Sequence, residues 1–176
     1  MGITCLLLFV LYMLDQISKY ATQVYQPHNL VVIPHFLTVD QVYNTGAAWG
    51  MLENNTIVLV IISIIASIVL GYFCIKNDWK KKKIYSFSLT MTLAGCVGNL
   101  FDRLVSVIPS LSSGRQGVVD MISFEPLNWI SRLVTGNSFP TFNLADLFLV
   151  VGLIIFAINY IFFQDRKDKN EKANNW

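Results

Sequence analysis

The sequence predicts a mainly α-helical membrane protein: four transmembrane helices, a small β-sheet at the membrane surface and a short interfacial helix. Three observations carry that expectation. The chain has 176 residues, of which 54% are hydrophobic and only 14% charged, too apolar for a soluble domain of this size. Its apolar residues gather into four long runs, and its basic residues crowd two of the segments that flank them.

A helix crosses the hydrocarbon core with about 20 mostly apolar residues. Residues 1–14 are uncharged, and the span extends past Asp15 to about residue 20. Residues 56–75 carry no charge. Residues 84–101 carry none either, with the span reaching about residue 104. The fourth run, 147–163, has Asp146 at its entrance. We read one integral membrane domain over 1–176, with spans at about 1–20, 56–75, 84–104 and 144–163. Between them lie two long segments, about 21–55 and 105–143, and after them a charged tail, 164–176.

The net charge of +2 says little, but its distribution sets an orientation. Lys76 and Lys80 to Lys83 lie between spans two and three, and Arg166, Lys167, Lys169 and Lys172 follow span four. The other two connections are long, yet hold only Lys19, Arg103, Arg115 and Arg132. Positive residues near span ends stay cytoplasmic, so both termini are expected inside and the two long segments outside. The cytoplasmic basic residues are mixed with acids, and no nucleic-acid partner is expected. The N-terminus lacks the basic n-region and small-residue cleavage site of a secretory signal and reads as an uncleaved span. Cys5, Cys74 and Cys96 fall inside spans, with no zinc or disulfide spacing, and read as packing residues. His28 and His35 have no cysteine or carboxylate cluster beside them, so neither metal nor cofactor is expected.

The outer segments look structured. Residues 30–33 and 36–39 are rich in β-branched and aromatic side chains and are separated by Pro34-His35. Val42-Tyr43 follows, before Asn44-Thr45-Gly46. Short strands with turns are expected, either holding an extended peptide by edge pairing or forming a plain cap. Residues 125–136 read as a short amphipathic helix, with Pro126 at its first position and Gly136 as its stop. Leu127, Ile130, Leu133 and Val134 share a face, flanked by Trp129. Such a helix is either a lid or an interfacial anchor.

Asp120 lies just beyond the third span and Asp146 at the mouth of the fourth. An ionisable group near the bilayer core is costly and by default functional, with a partner to be named. Here each aspartate is a candidate partner for the other. Two close carboxylates can share one proton and activate water. On span three, Gly95, Asn99 and Arg103 recur at i, i+4 and share a stripe, and Ala94 with Gly98 permits close helix contact. Asp102, next to Arg103, faces elsewhere. Asn143 and Asp146 are i, i+3 neighbours. Asp15 and Lys19, at i, i+4, read as a structural ion pair at a helix end. From the residues alone, the dyad stands beside blander readings: helix–helix hydrogen bonds for Asn99 and Arg103, and separately solvated carboxylates for the aspartates.

The ordered blocks resemble the bacterial lipoprotein signal peptidases, also called signal peptidase II. They are Asp15-Gln16-Ile17-Ser18-Lys19, Asn44-Thr45-Gly46-Ala47-Ala48-Trp49-Gly50, Gly95-Cys96-Val97-Gly98-Asn99-Leu100-Phe101-Asp102-Arg103, Val118-Val119-Asp120 and Phe142-Asn143-Leu144-Ala145-Asp146. The resemblance covers nearly the whole chain apart from the tail. It implies an intramembrane aspartyl protease of the bacterial cytoplasmic (inner) membrane, built of four helices, a small extracytoplasmic β-cradle and a short helix over the site. The implied substrate is a prolipoprotein whose signal-peptide cysteine carries diacylglycerol, cut N-terminal to that cysteine. Asp120 and Asp146 match the catalytic pair. Asn44, Gly46, Asn99, Arg103, Asn143 and Ala145 match motif positions around it. Membrane lipid and the cyclic peptide inhibitor globomycin are implied partners. The chain departs from the pattern in a longer stretch between the aspartates, around 127–137, and in Cys96 and Val97 where smaller residues are expected.

The expected mechanism has one aspartate taking a proton from water and the other donating to the carbonyl oxygen or the departing amine. Arg103 is the expected holder of a substrate carbonyl, and Asn99 and Asn143 of the water, the dyad or the peptide. Acyl chains are expected to enter sideways from the bilayer. The rival readings are a small transporter or proton-linked channel, which would spread polar residues through the membrane depth, and a membrane scaffold. Here the polar residues cluster at one face.

Overall fold

The computed structural model describes residues 1–47, 51–53, 55–112 and 116–164. Ala48, Trp49 and Gly50 of the second motif, Arg115, and the basic residues of the tail lie outside the described residues.

Among the described residues, four helices are long and apolar enough to cross a membrane. They are α1 (Gly2–Tyr25), α2 (Thr56–Lys76), α3 (Lys83–Val107) and α6 (Leu144–Asn159), the last continuing as a π-helical turn, Tyr160–Gln164. Between α1 and α2 lie strands β1 (Leu30–Ile33) and β2 (Leu37–Asn44). Between α3 and α6 lie α4 (Pro109–Ser112), β3 (Val118–Phe124) and α5 (Glu125–Thr135). The expected fold class is what is observed: a mainly helical membrane protein with a three-stranded antiparallel sheet, ordered β1-β2-β3.

The helices are not equivalent. In α3, 61% of the membrane-length window is buried inside the protein, against 17% in each of the other three. α3 is the central post, and α1, α2 and α6 surround it. Its sequence suits that place. Ser86, Ser88, Thr90 and Thr92 are buried, and Thr90 and Thr92 return their hydroxyls to the carbonyls one turn back. Small side chains let α6 approach closely. A Cβ at Gly95 would collide with the Ala145 carbonyl oxygen, and one at Gly152 would lie 2.8 Å from the Thr92 nitrogen. Away from the sheet, Cys74, Leu89 and Leu93 form an apolar cluster with Leu8, Leu70, Tyr85, Val97 and Phe156 around them. Val97, unexpectedly bulky for its motif, is therefore part of this packing.

Besides the four-residue α4, which was not expected, two elements differ from expectation. The first helix continues to Tyr25 and ends on Gln26 in the left-handed conformation, so Asp15 and Lys19 lie in its interior rather than at its end. Residues 118–124 form a full strand that the sequence reading did not anticipate. The short helix at Glu125–Thr135 is where Pro126 and Gly136 placed it, with Gly136 left-handed at the stop.

Candidate active site

Three local devices bring the two aspartates to one cleft. The first is the N-terminus of α6. Asn143 caps the helix: its Oδ1 accepts from the Asp146 nitrogen at 2.9 Å, and its own nitrogen donates to Asp146 Oδ2 at 3.1 Å. This reciprocal capping box satisfies helix-end donors and fixes Asp146 in the first turn, where the helix dipole favours a carboxylate.

The second device is a bulge in β2. Leu37, Thr38 and Val39 pair with Phe124, Ser123 and Ile122, but after the irregularity Val42 faces Asp120. Uninterrupted pairing would set Gln41 opposite Asp120 and turn Asn44 to the other face, because side chains alternate along a strand. With the extra residue, Asn44 is a diagonal neighbour of Asp120 on one face, and its Nδ2 donates to Asp120 Oδ2 at 2.9 Å. Gly117, with φ of +85°, permits the tight start of β3, since a Cβ there would strike the Asn44 carbonyl.

The third device ties β3 to α6. Phe142 bridges to Ile122, donating to its oxygen at 3.0 Å and accepting from Met121 and Ile122 nitrogens at 3.1 and 2.8 Å. The residue before the α6 cap is thus fastened two positions from Asp120.

Between the aspartates runs a chain of amides. Asn143 Nδ2 donates to Asp120 Oδ1 at 2.7 Å and to Asn99 Oδ1 at 3.1 Å. Asn99 Nδ2 donates to Asp146 Oδ1 at 2.7 Å. Both carboxylates line one cleft of about 690 Å³ with Asn44, Gly46, Cys96, Asn99 and Arg103. Aliphatic and aromatic side chains make much of the wall, among them Leu127, Phe139, Phe142, Leu147, Leu149 and Val150. Asp120 is only 2% exposed. Its burial, and then the negative charge of Asp146, push its carboxyl up to about 7, although hydrogen bonds from Asn44 and Asn143 act against that rise. A carboxyl ionising near neutrality beside a second carboxylate is suited to general acid–base work.

Similarity to known proteins follows the same residues. Residues 7–162 match the profile of the family described as Signal peptidase (SPase) II. The chain belongs to the signal peptidase II family. It is 38% identical to a lipoprotein signal peptidase of Enterococcus faecalis over 162 residues, covering 90% of this chain and 87% of that one. It is 32% identical to a lipoprotein signal peptidase of Staphylococcus aureus over 173 residues, 97% of this chain and 94% of that one. Two solved structures, each described as a bacterial membrane enzyme, share the fold at 30% identity. Their TM-scores are 0.75 and 0.73, over 96% and 93% of this chain and 92% and 96% of theirs. The chain is thus a peptidase and a multi-pass membrane protein.

Within this signal peptidase II fold the described supporting residues of the motifs can be placed. Gly46 donates its N–H to Asn44 Oδ1 at 2.9 Å, and its carbonyl accepts from Arg103 Nη2 at 3.2 Å. The Arg103 guanidinium therefore holds the protein's own loop at the cleft wall. Ala145 is fully buried: a Cβ at Gly98 would lie 3.0 Å from its methyl, and its N–H donates to Asp15 Oδ1 at 2.9 Å. Asp15 and Lys19 are 0% and 1% exposed and 2.9 Å apart. Asp102, which the sequence reading left without a role, is Lys19's second carboxylate partner at 2.9 Å. Its position three residues after Asn99, on the same side of α3, was the available signal. Cys96 lies in the cleft wall, more than a packing residue buried in its span. In α5, Leu127 borders the cleft while Trp129, Ile130, Leu133 and Val134 are exposed. One helix thus carries both a cleft-facing residue and an exposed apolar face.

Proposed function

We propose that the chain is an aspartyl endopeptidase that removes the signal peptide from diacylglyceryl-modified prolipoproteins. The single observation that carries the reading is the joint placement of Asp120 and Asp146 in one apolar-walled cleft, joined through Asn143 and Asn99. Family membership supplies the reaction class, signal peptide cleavage from prolipoproteins.

In this mechanism the pair holds one proton. The ionised carboxyl takes a proton from water, whose oxygen attacks the scissile carbonyl carbon. The protonated carboxyl donates to the carbonyl oxygen, and collapse of the tetrahedral intermediate sends a proton to the departing amine. The apparent acidities belong to the pair. Asn44 and the two amides between the aspartates hold the carboxyls, and Arg103 holds the Gly46 loop where an extended substrate strand would lie. Asn99, Asn143, Ala145 and the Asp15–Lys19 pair maintain the seam beneath.

The cut falls N-terminal to the lipidated cysteine. The apolar wall formed by Leu147, Leu149 and Val150 faces the acyl chains, which arrive from surrounding membrane lipid. The active site lies near the extracytoplasmic face of the bacterial inner membrane, with both termini cytoplasmic. A cyclic peptide such as globomycin occupies the same cleft. Cleavage in detergent of lipidated and unlipidated prolipoprotein, with the new N-terminus read by mass spectrometry, tests this. The expected product begins at lipid-bearing cysteine, from the lipidated substrate only. Cleavage elsewhere, or equal cleavage without lipid, would overturn the assignment.

A further inference from the structure

An isolated structural ion pair would need Lys19 to meet Asp15 alone. The buried ammonium does more: it lies 2.9 Å from Asp15 Oδ2, 2.9 Å from Asp102 Oδ2, and donates to Asn99 Oδ1 at 3.0 Å. An ammonium can only donate, whereas a primary amide has one accepting and one donating end. With Oδ1 of Asn99 turned to Lys19, its Nδ2 faces the opposite way and meets Asp146 at 2.7 Å. The same Oδ1 takes one N–H of Asn143, whose Nδ2 also donates to Asp120. Asn143's own oxygen is taken by the Asp146 nitrogen.

We propose that Lys19 is a positioning residue of the aspartate pair, whose ammonium fixes the direction of the Asn99 amide so that its N–H points at Asp146, while the Asp146 nitrogen fixes Asn143 toward Asp120. The proposal rests on the aspartyl reading above. Its structural consequence is complete: each of the four carboxyl oxygens has one N–H donor. Asp120 Oδ1 has Asn143 Nδ2, and Oδ2 has Asn44 Nδ2. Asp146 Oδ1 has Asn99 Nδ2, and Oδ2 has the Asn143 nitrogen. None of these partners can accept a proton, so the proton held by the pair is directed into the cleft, toward water and substrate. An Asn99 amide free to flip would present an oxygen to Asp146 and remove that bias. The charged and titratable groups around this network are Asp15 and Tyr12 on α1, Asp102, Arg103 and Cys96 on α3, Asp120 on β3 and Asp146 on α6.

Two variants separate this role from plain stability. D102N keeps the ammonium and its bond to Asn99. K19M/D102N removes the ammonium, yet leaves the Asp15–Lys19–Asp102 cluster with its original net charge. The readout is the pH profile of kcat and kcat/KM on a lipidated prolipoprotein in detergent. The acidic limb of K19M/D102N is expected to rise by about one pH unit, the order of a lost hydrogen bond to a charged carboxylate, with kcat down about ten-fold. D102N is expected to keep its limb or lower it. K19L/D102N, which also has no donor for the Asn99 oxygen, supplies the same comparison should the methionine variant not fold. Loss of kcat in both backgrounds with no movement of the limb would overturn the proposal, as would a limb that moves equally in D102N. Full activity in D120N would instead sink the aspartyl reading, a different outcome from either.

Discussion

α6 and α2 both pack on α3, yet they do so in different ways, and the difference bears on where the proposed chemistry sits. The α3–α6 seam is closed by glycines: Gly95 lies against Ala145 and Leu149, and Gly152 against Thr92 and Ser88. Backbones held that close give Asn99 and Asp146 fixed positions. Among the described residues, Gly71 on α2 is open, with nothing within 4 Å of a would-be Cβ, and Ser67 Oγ is buried without a hydrogen-bond partner. This helix contributes Ser63 to the cleft wall and none of the motif residues. In the proposed mechanism the tight seam positions the two carboxyls, and the α2 side leaves room for a substrate.

The contrast breaks most completely at the carboxyls themselves. Asp120→Asn or Asp146→Asn is expected to lower the cleavage rate by roughly 10³-fold or more, the scale of acid–base catalysis, while the detergent-solubilised protein still shows a cooperative melt. Next in size is the seam. Gly95→Ala drives a methyl into the α6 backbone and is expected to cost about 1–3 kcal/mol of stability, with activity falling as Asp146 shifts. Thermal melts and initial rates measured together check it; a variant as stable and active as wild type would show that the seam is not the positioning element.

A smaller effect is the pH dependence of stability. Burial and the Asp146 charge push the Asp120 carboxyl up to about 7, from its ordinary 3.8, in the folded protein. A raised carboxyl favours the folded state while protonated, and that contribution is lost as pH rises through the folded value. Melting temperature in detergent is therefore expected to fall between about pH 4 and about pH 8, with a shallower slope in Asp120→Asn. The smallest expected change is Gly71→Ala on the open side. It is expected to leave activity untouched and to alter stability by no more than about 1 kcal/mol, in the stabilising direction.

Much of this was legible because membrane chains write their helices plainly. Uncharged runs marked the four spans, and Pro126 and Gly136 marked the short helix. Asp146 was legible for a local reason, since it stands at the mouth of an uncharged span with Asn143 three residues earlier; that Asn143 caps it emerged from the structure. What stayed hidden was the non-local part. Residues 118–124 form a strand only because β2, far earlier in the chain, offers an edge; the alternation in Val118-Val119-Asp120-Met121-Ile122 was present but short. The Asp15–Lys19 pair was read as a local i, i+4 contact because helical periodicity reports neighbours on the same helix. It says nothing about what that helix packs against, which here is Asn99 and Asp102 on α3. The bulge that turns Asn44 toward Asp120 leaves no mark in composition, because it is a property of the pairing of two strands.

The central claim is that Asp120 and Asp146 act as one unit. Residues that act as a unit are non-additive in their kinetic effects. The most direct test is a long-incubation cleavage assay of a lipidated prolipoprotein by wild type, Asp120→Asn, Asp146→Asn and the double variant, all purified and shown to be folded. The account predicts that each single variant loses nearly everything and that the double loses no more than either. A single variant that keeps substantial activity, or two losses that multiply in the double, would contradict it.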